Sequence, residues 1–242
     1  MDYFDYFSQI RGPVLTGMNI LVAGNGQYPS QDIMSVLKEE GAQVVYWTED
    51  EGDFASEEQM RKTMEGFIEE AGSMDVLVTN FFKGDKRSNS ELSSEDLQQL
   101  WENNVKRTFC VCNLLIPYLK KRRAGKIINI LSTSGKRSFL GANAAECSAA
   151  SAVIGLTKGY AEQLAPFQVT ANCIAAGLID GEPLISGKSV KEVQESLPMK
   201  WQPLQKFGTT KDIGMAAAFL ASRFSDYITG YTMDVNGGFY MD

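Results

Sequence analysis

Short apolar runs alternate with longer helix-patterned stretches through most of the chain, and this alternation limits the possible folds more than any other feature. It is the pattern of βαβ units on a parallel sheet. The runs are Asn19–Ala23, Gln43–Trp47, Asp75–Thr79, Lys126–Leu131, Thr170–Ile174 and Thr232–Val235. Most are nearly continuous in apolar residues, as in LVA, VVYW, VLV and IINIL, which suits strands covered by helices on both faces. Between them, Ser30–Glu40, Ser56–Glu70, Ser94–Lys120, Ala144–Leu164 and Thr210–Leu220 read as helices. The last is opened by Thr209-Thr210-Lys211-Asp212, a capping signal. The expected fold class is α/β, with a doubly wound parallel sheet in a three-layer α/β/α sandwich.

With 242 residues the chain is short enough for one core, since single cores grow to about 250 residues before chains split. It contains no histidine, which excludes Ser-His-Asp and Cys-His nucleophile systems and His-ligated zinc. A net charge of −7 offers a phosphate backbone no general attraction, so nucleic acid is not an expected partner. Cys110, Cys112, Cys147 and Cys173 form no CxxC pair, and they read as buried thiols. The opening MDYFDYFSQIRGPVL is acidic where a secretory signal needs positive charge, and no apolar run approaches the ~18 residues of a membrane span. A cytoplasmic location with no membrane partner is the expectation. Asp180–Lys206 carries Gly181, Pro183, Gly187, Pro198 and Pro203 without strong periodicity, and reads as an excursion over the carboxyl edge of the sheet, where such folds bind ligands. Lys120–Arg123 reads as a solvated helix end.

From about Asn19 to Phe239 the chain resembles the short-chain dehydrogenase/reductase family. The resemblance is carried by ILVAG at 20–24, MDVLVTN at 74–80, the helix with Asn104 leading into Leu115-Ile116-Pro117-Tyr118, and KIINILSTSG at 126–135. AVIGLTK at 152–158, VTANCIAAGLID at 169–180 and DYITGYTMDVNGGF at 226–239 complete it. It implies a Rossmann-like domain over residues 19–242 preceded by an extension, residues 1–18, in which Tyr3, Phe4, Phe7 and Ile10 would form an apolar stripe if helical.

The resemblance also implies nicotinamide chemistry, and the residues that would carry it differ from the family pattern. The family's diphosphate turn, G-x-x-x-G-x-G, corresponds to Gly24, Tyr28 and Ser30, with Pro29 between the last two, where bare backbone at a helix N-terminus is needed. Thr48 stands at the ribose-binding Asp, followed by Glu49-Asp50-Glu51, and the interval from Gly41 to Asp75 is short for the family. The acid/base Tyr and the Lys of Y-x-x-x-K correspond to Glu146 and Ala150, and no Y-x-x-x-K occurs elsewhere. The nearest match, Tyr118-x-x-x-Arg122, lies in another helix. The family's N-N-A-G is Thr79-Asn80-Phe81-Phe82, and the Thr that would bond the carboxamide is missing from Ala176–Gly181. Only Asn104 and Ser132 match the family's catalytic asparagine and serine, and both are read as structural vestiges.

The expectation is thus no catalytic residue, no bound cofactor and no metal, with packing motifs retained. A non-catalytic subunit that assembles with an active NAD-dependent relative in a hetero-oligomer, a heterotetramer, fits that pattern. It resembles the degenerate subunit of dehydrogenases such as the one acting on 2-[hydroxy(phenyl)methyl]succinyl-CoA in anaerobic toluene degradation. The helices over 94–120 and 144–164 would form the assembly surface through Val105, Phe109, Cys112 and Ile116, and Val153, Leu156, Tyr160 and Leu164, unless these are core. Two alternatives stay open: a non-redox lyase, isomerase or cyclase using Glu146 as base, and a ligand-binding module with Phe81, Phe82 and Tyr28 in the old pocket.

Overall fold

The computed structural model describes residues 12–25, 30–48, 54, 56–85, 87–138, 142–180 and 202–242. Six parallel strands form its sheet: β1 (Asn19–Gly24), β2 (Gln43–Thr48), β3 (Val76–Asn80), β4 (Gly125–Ser132), β5 (Val169–Ala176) and β6 (Thr232–Val235), in the order β2-β1-β3-β4-β5-β6. Each expected strand is present, with every end within two residues of its expected position. The helices are α1 (Ser30–Glu39), α2 (Glu57–Ala71), α3 (Ser94–Trp101), α4 (Arg107–Arg122), α5 (Ala144–Leu164) and α6 (Thr210–Ala221). Consecutive strands β1 and β2 pair on one side while β3 pairs on the other side of β1, so the order reverses between β1 and β3. Strand β2 is an edge strand, in keeping with the short interval between Gly41 and Asp75.

Alternation along the strands sends successive side chains to opposite faces and produces two cores. On one face Leu21, Ala23, Leu77, Ile127 and Ala171 pack against α2, α4 and α5 through Met60, Met64, Val111, Leu115, Tyr160 and Leu164. On the other, Ile20, Val22, Val78, Ile128, Ile130 and Ile174 pack against Ile33, Val36 and Leu37 of α1 and Ile213, Ala217 and Leu220 of α6. A Cβ added at Gly214 of α6 would lie 2.8 Å from Val36 Cγ2, so glycine sets the close approach of these two helices. A polar network crosses the first core. The Thr79 hydroxyl donates to Asn129 Oδ1 (2.6 Å), Asn129 Nδ2 donates to Thr157 Oγ1 (2.8 Å), and the Cys173 thiol donates to the same Thr157 oxygen (3.0 Å).

The capping signal before α6 is a complete box: Thr209 Oγ1 accepts from Asp212 N, and the Asp212 carboxylate accepts from Thr209 N at 2.7 Å. The single helix expected over 94–120 is interrupted by a π turn at Glu102–Lys106, which holds Asn104. Leu15 is fully buried and its N–H donates to the Glu40 carbonyl, so the residues just before β1 pack on the domain. The expected stripe at Tyr3, Phe4, Phe7 and Ile10, and residues 181–201 of the expected excursion, lie outside the described residues.

Candidate functional site

In an open parallel sheet, ligands bind beyond the carboxyl ends of the strands where the strand order reverses, here between Gly24 and Asn80. Asn80 Nδ2 donates to the hydroxyl of Ser30, the first residue of α1, at 2.8 Å, and both side chains are buried. A Cβ at Gly24 would lie 2.9 Å from the Asn80 carbonyl oxygen and 3.0 Å from Ser30 Oγ. Glycine at 24 therefore serves the contact between β1, β3 and α1. Asn25 Nδ2 reaches the Phe82 carbonyl at 3.5 Å, a second bridge between the loops after β1 and β3. Tyr28 and Pro29, together with Glu49–Glu51, lie outside the described residues.

Glu146 lies in the first turn of α5, whose N-cap Asn143 accepts the Glu146 N–H at 2.8 Å. Its side chain is only 2% exposed, and Oε2 accepts from Asp85 N at 3.2 Å. One turn on, Ala150 is 0% exposed in an apolar cluster with Val105, Leu131, Ala149, Val153, Cys173 and Ala175, against which Phe82 packs. The Gly135 backbone fits so closely there that a Cβ on it would meet Ala150 Cβ at 3.0 Å. Asn104 Oδ1 accepts from Lys83 N (2.6 Å) and its Nδ2 donates to Lys83 O (3.0 Å), while its own carbonyl accepts from Thr108 Oγ1. Ser132 Oγ accepts from Ser134 N at 3.1 Å and caps the turn that follows β4. Each of the four residues has a structural partner in the loops or core around it.

Phe81 is buried at the carboxyl end of β3, where its ring meets Phe54 edge-on, and Phe54 stacks on Trp47 at 4.6 Å. These rings extend the first core to the carboxyl ends of β2 and β3. Tyr118 and Arg122 sit at the opposite pole: the Tyr118 hydroxyl accepts from Met74 N, and Arg122 donates to Met74 O and pairs with Asp75 at 2.7 Å. Of the eight helix positions expected on an assembly surface, Val105, Cys112, Val153, Tyr160 and Leu164 are core, and Ile116 and Leu156 are partly buried against it. Phe109 alone among them is exposed, at 46%, with Leu97 and Trp101 of α3 as its exposed companions.

Two features went unpredicted. Asn143 is the N-cap of α5 and also donates to the carbonyls of Asp85 and Arg87. The pattern Asn-x-x-Glu at 143–146 carries that signal. Lys136, four residues past Ser132, is partly buried and pairs with Asp234 (2.6 Å) and Asp242 (2.5 Å) against the Tyr240 ring. Partners about a hundred residues apart leave no local trace.

A family model described as Enoyl-(Acyl carrier protein) reductase matches residues 15–240. The 3-oxoacyl-[acyl-carrier-protein] reductase FabG of Vibrio cholerae is 30% identical over 247 residues, covering 94% of this chain and 99% of that protein. The chain belongs to the short-chain dehydrogenase/reductase family. FabG of Staphylococcus epidermidis is 32% identical over 195 residues, 79% of this chain and 77% of that protein. Among solved structures, a short-chain type dehydrogenase/reductase from Mycobacterium marinum superposes with a TM-score of 0.83 at 23% identity, covering 94% of this chain and 97% of that one. Short-chain dehydrogenase/reductases use a nicotinamide cofactor, and two of the described positions do not suit holding one in the family's manner. The position of the lysine that would hold the nicotinamide ribose is an alanine sealed in an apolar cluster, and the position of the phenol is a carboxylate turned to a backbone N–H. Among the described residues no group of three His, Cys, Asp or Glu side chains could hold a metal, and no helix is long and apolar enough to cross a membrane.

Proposed function

We propose that the chain is a non-catalytic short-chain dehydrogenase/reductase subunit that assembles with an active NAD-dependent relative. The observation that carries this reading is the pair at the acid/base positions. General acid catalysis in this family's manner needs a phenol beside a cation, and Glu146 and Ala150 are a backbone-bonded carboxylate and a packed methyl group. The oxidoreductase scaffold remains around them, with its sheet, its helices and its close glycine contacts.

The surface supports assembly. Leu97, Trp101 and Phe109 are exposed on the α3–α4 face, and Phe219, Phe224, Tyr227 and Tyr231 on and after α6. Exposed aromatics in such groups mark contact surfaces. On α5, a Cβ added to Gly155 or Gly159 would meet nothing within 4 Å, leaving room for a facing helix. Tyr160 of α5 donates to the Phe109 carbonyl of α4 at 3.5 Å, which ties these two helices together. The partner is a cytoplasmic active short-chain dehydrogenase, in a heterotetramer. A hydroxyacyl-CoA dehydrogenase of anaerobic toluene or aromatic degradation is one such pairing.

Co-purification from the native source, followed by gel filtration, tests the reading. A stable complex with an intact short-chain dehydrogenase carrying the dehydrogenase activity is the expected result. A homo-oligomer that turns over substrate by itself would overturn it.

A further inference from the structure

The opposite pole of the sheet, away from the former catalytic positions, carries a cleft of about 630 Å³. It lies at the amino ends of β3, β4 and β5, among the carboxyl ends of α4, α5 and α6, and its volume is that of a small-molecule site. Val76, Lys126 and Thr170, adjacent to one another across the three strands, line it, and Met18 and Ala221 add apolar surface. The Thr170 hydroxyl is covered, yet among the described residues it has no hydrogen-bond partner. A buried hydroxyl normally finds one, because leaving the bond unmade is costly. The wall of the cleft therefore holds a donor that the protein leaves unused.

The same pole is basic in a chain whose net charge is −7. The dipole of α4 calls for about half a positive charge at its carboxyl end, and Lys120–Arg123 brings four. Several cations here have partners. Lys120 lies 5.1 Å from the centre of the Phe167 ring, Arg122 pairs with Asp75 at 2.7 Å, and buried Lys126 pairs with Asp226 at 2.7 Å. Arg123 and Arg223 both line the cleft, and among the described residues neither has a carboxylate partner. Arg123 gives one N–H to the Pro166 carbonyl at 2.9 Å, a single use of a fork with five donors. Its backbone is left-handed (φ 54°), as is that of Gln168 (φ 58°) in the same wall, so two long side chains stand where glycine is the easier residue.

We propose that this cleft binds a small organic anion, a carboxylate or phosphate head group on an apolar body. The guanidinium groups of Arg123 and Arg223 take the head, the Thr170 hydroxyl donates to it, and Met18, Val76 and Ala221 take the body. The two carboxylates in the wall, Asp75 and Asp226, are already paired and do not oppose the ligand's charge. This site stands apart from the subunit reading, since it uses neither the former catalytic positions nor a second chain.

Calorimetric titration of the full chain with octyl phosphate and with octanoate tests the site, with octanol and inorganic phosphate as the body and the head alone. At least one of the charged probes should saturate a single site with a dissociation constant below about 1 mM, and the tighter of the two names the head group. Octanol and inorganic phosphate should each bind at least about tenfold more weakly. Arg123→Gln and Arg223→Gln, both at exposed positions, should each weaken the charged probe by about tenfold, as for one lost charge-assisted hydrogen bond. Thr170→Val keeps the side-chain shape and should weaken binding severalfold without lowering Tm, because the hydroxyl it removes bonds to nothing in the protein. No saturable binding of either charged probe below about 1 mM would overturn the site. Octanol binding as tightly as octyl phosphate would overturn the anion, and unchanged affinity in the Arg123→Gln, Arg223→Gln double variant would overturn the place.

Discussion

Replacing Asn129 by leucine should cost far more than replacing its whole hydrogen-bonded pair. Asn129 is fully buried, accepts the Thr79 hydroxyl at 2.6 Å and donates to Thr157 at 2.8 Å. In Asn129→Leu the Thr79 hydroxyl is left buried without an acceptor, at about 1–3 kcal/mol, and the branched side chain must repack for about 1 kcal/mol more. Thr157 keeps a partner, since its hydroxyl donates to the Val153 carbonyl at 2.8 Å. The sum of roughly 2–4 kcal/mol corresponds to a Tm lower by about 5–15 °C for a domain of this size. Adding Thr79→Val removes the stranded hydroxyl as well, and apolar replacement of both partners is close to neutral, so the double variant should recover at least half of the loss. Differential scanning calorimetry of the wild type, both single variants and the double variant reads all the terms. A Tm change under about 2 °C in Asn129→Leu, or a double variant no better than the sum of the singles, would refute the reasoning.

Three further outcomes follow from the same geometry. Glu146→Tyr with Ala150→Lys should show no nicotinamide-dependent reductase activity, because a lysine at 150 must enter the Val105–Leu131–Val153 cluster; hydride transfer in a spectrophotometric assay would contradict this. Of the four thiols, half-buried Cys147 should react first with a thiol reagent, whereas burial pushes Cys112 far up and Cys173 up to about 11, so these two should be labelled only on unfolding, as peptide mapping can show. The Arg87 guanidinium holds Asp96 down to about 2, below its unfolded value of about 3.9, so the ion pair contributes above ~pH 4 and is lost as pH falls towards 2; Trp101 emission should report the loosening of α3 in that window and stay flat above it.

The sheet was legible because strands buried on both faces read as continuous apolar runs, and IINIL in β4 or VLV in β3 cannot be mistaken for an exposed helix. The start of α6 was legible because a capping box is local. The π turn at Glu102–Lys106 was not, since it depends on Asn104 reaching a loop twenty-one residues earlier in the chain. Most of the helix positions expected on an assembly surface are core for a related reason: Val105 and Cys112 have an i, i+7 spacing that suits a surface stripe and a core face equally, and only the positions of β4 and β5 show that they and Val153 face inwards. At the site, the identities of Glu146 and Ala150 were plain in the sequence, but their partners were not. Asp85 N lies 61 residues from Glu146 and is a backbone group, which no side-chain pattern can reveal.

Isothermal titration of the isolated chain with NAD(H) and NADP(H) tests the central claim most directly. With Ala150 sealed in its cluster and Glu146 tied to Asp85, the account predicts no saturable heat at ligand concentrations of about 100 μM, where a binding free energy of roughly −7 kcal/mol would be evident. A dissociation constant of about 10 μM or tighter for either cofactor would contradict it, because a chain that binds nicotinamide nucleotide that well has kept the site this account says it lost.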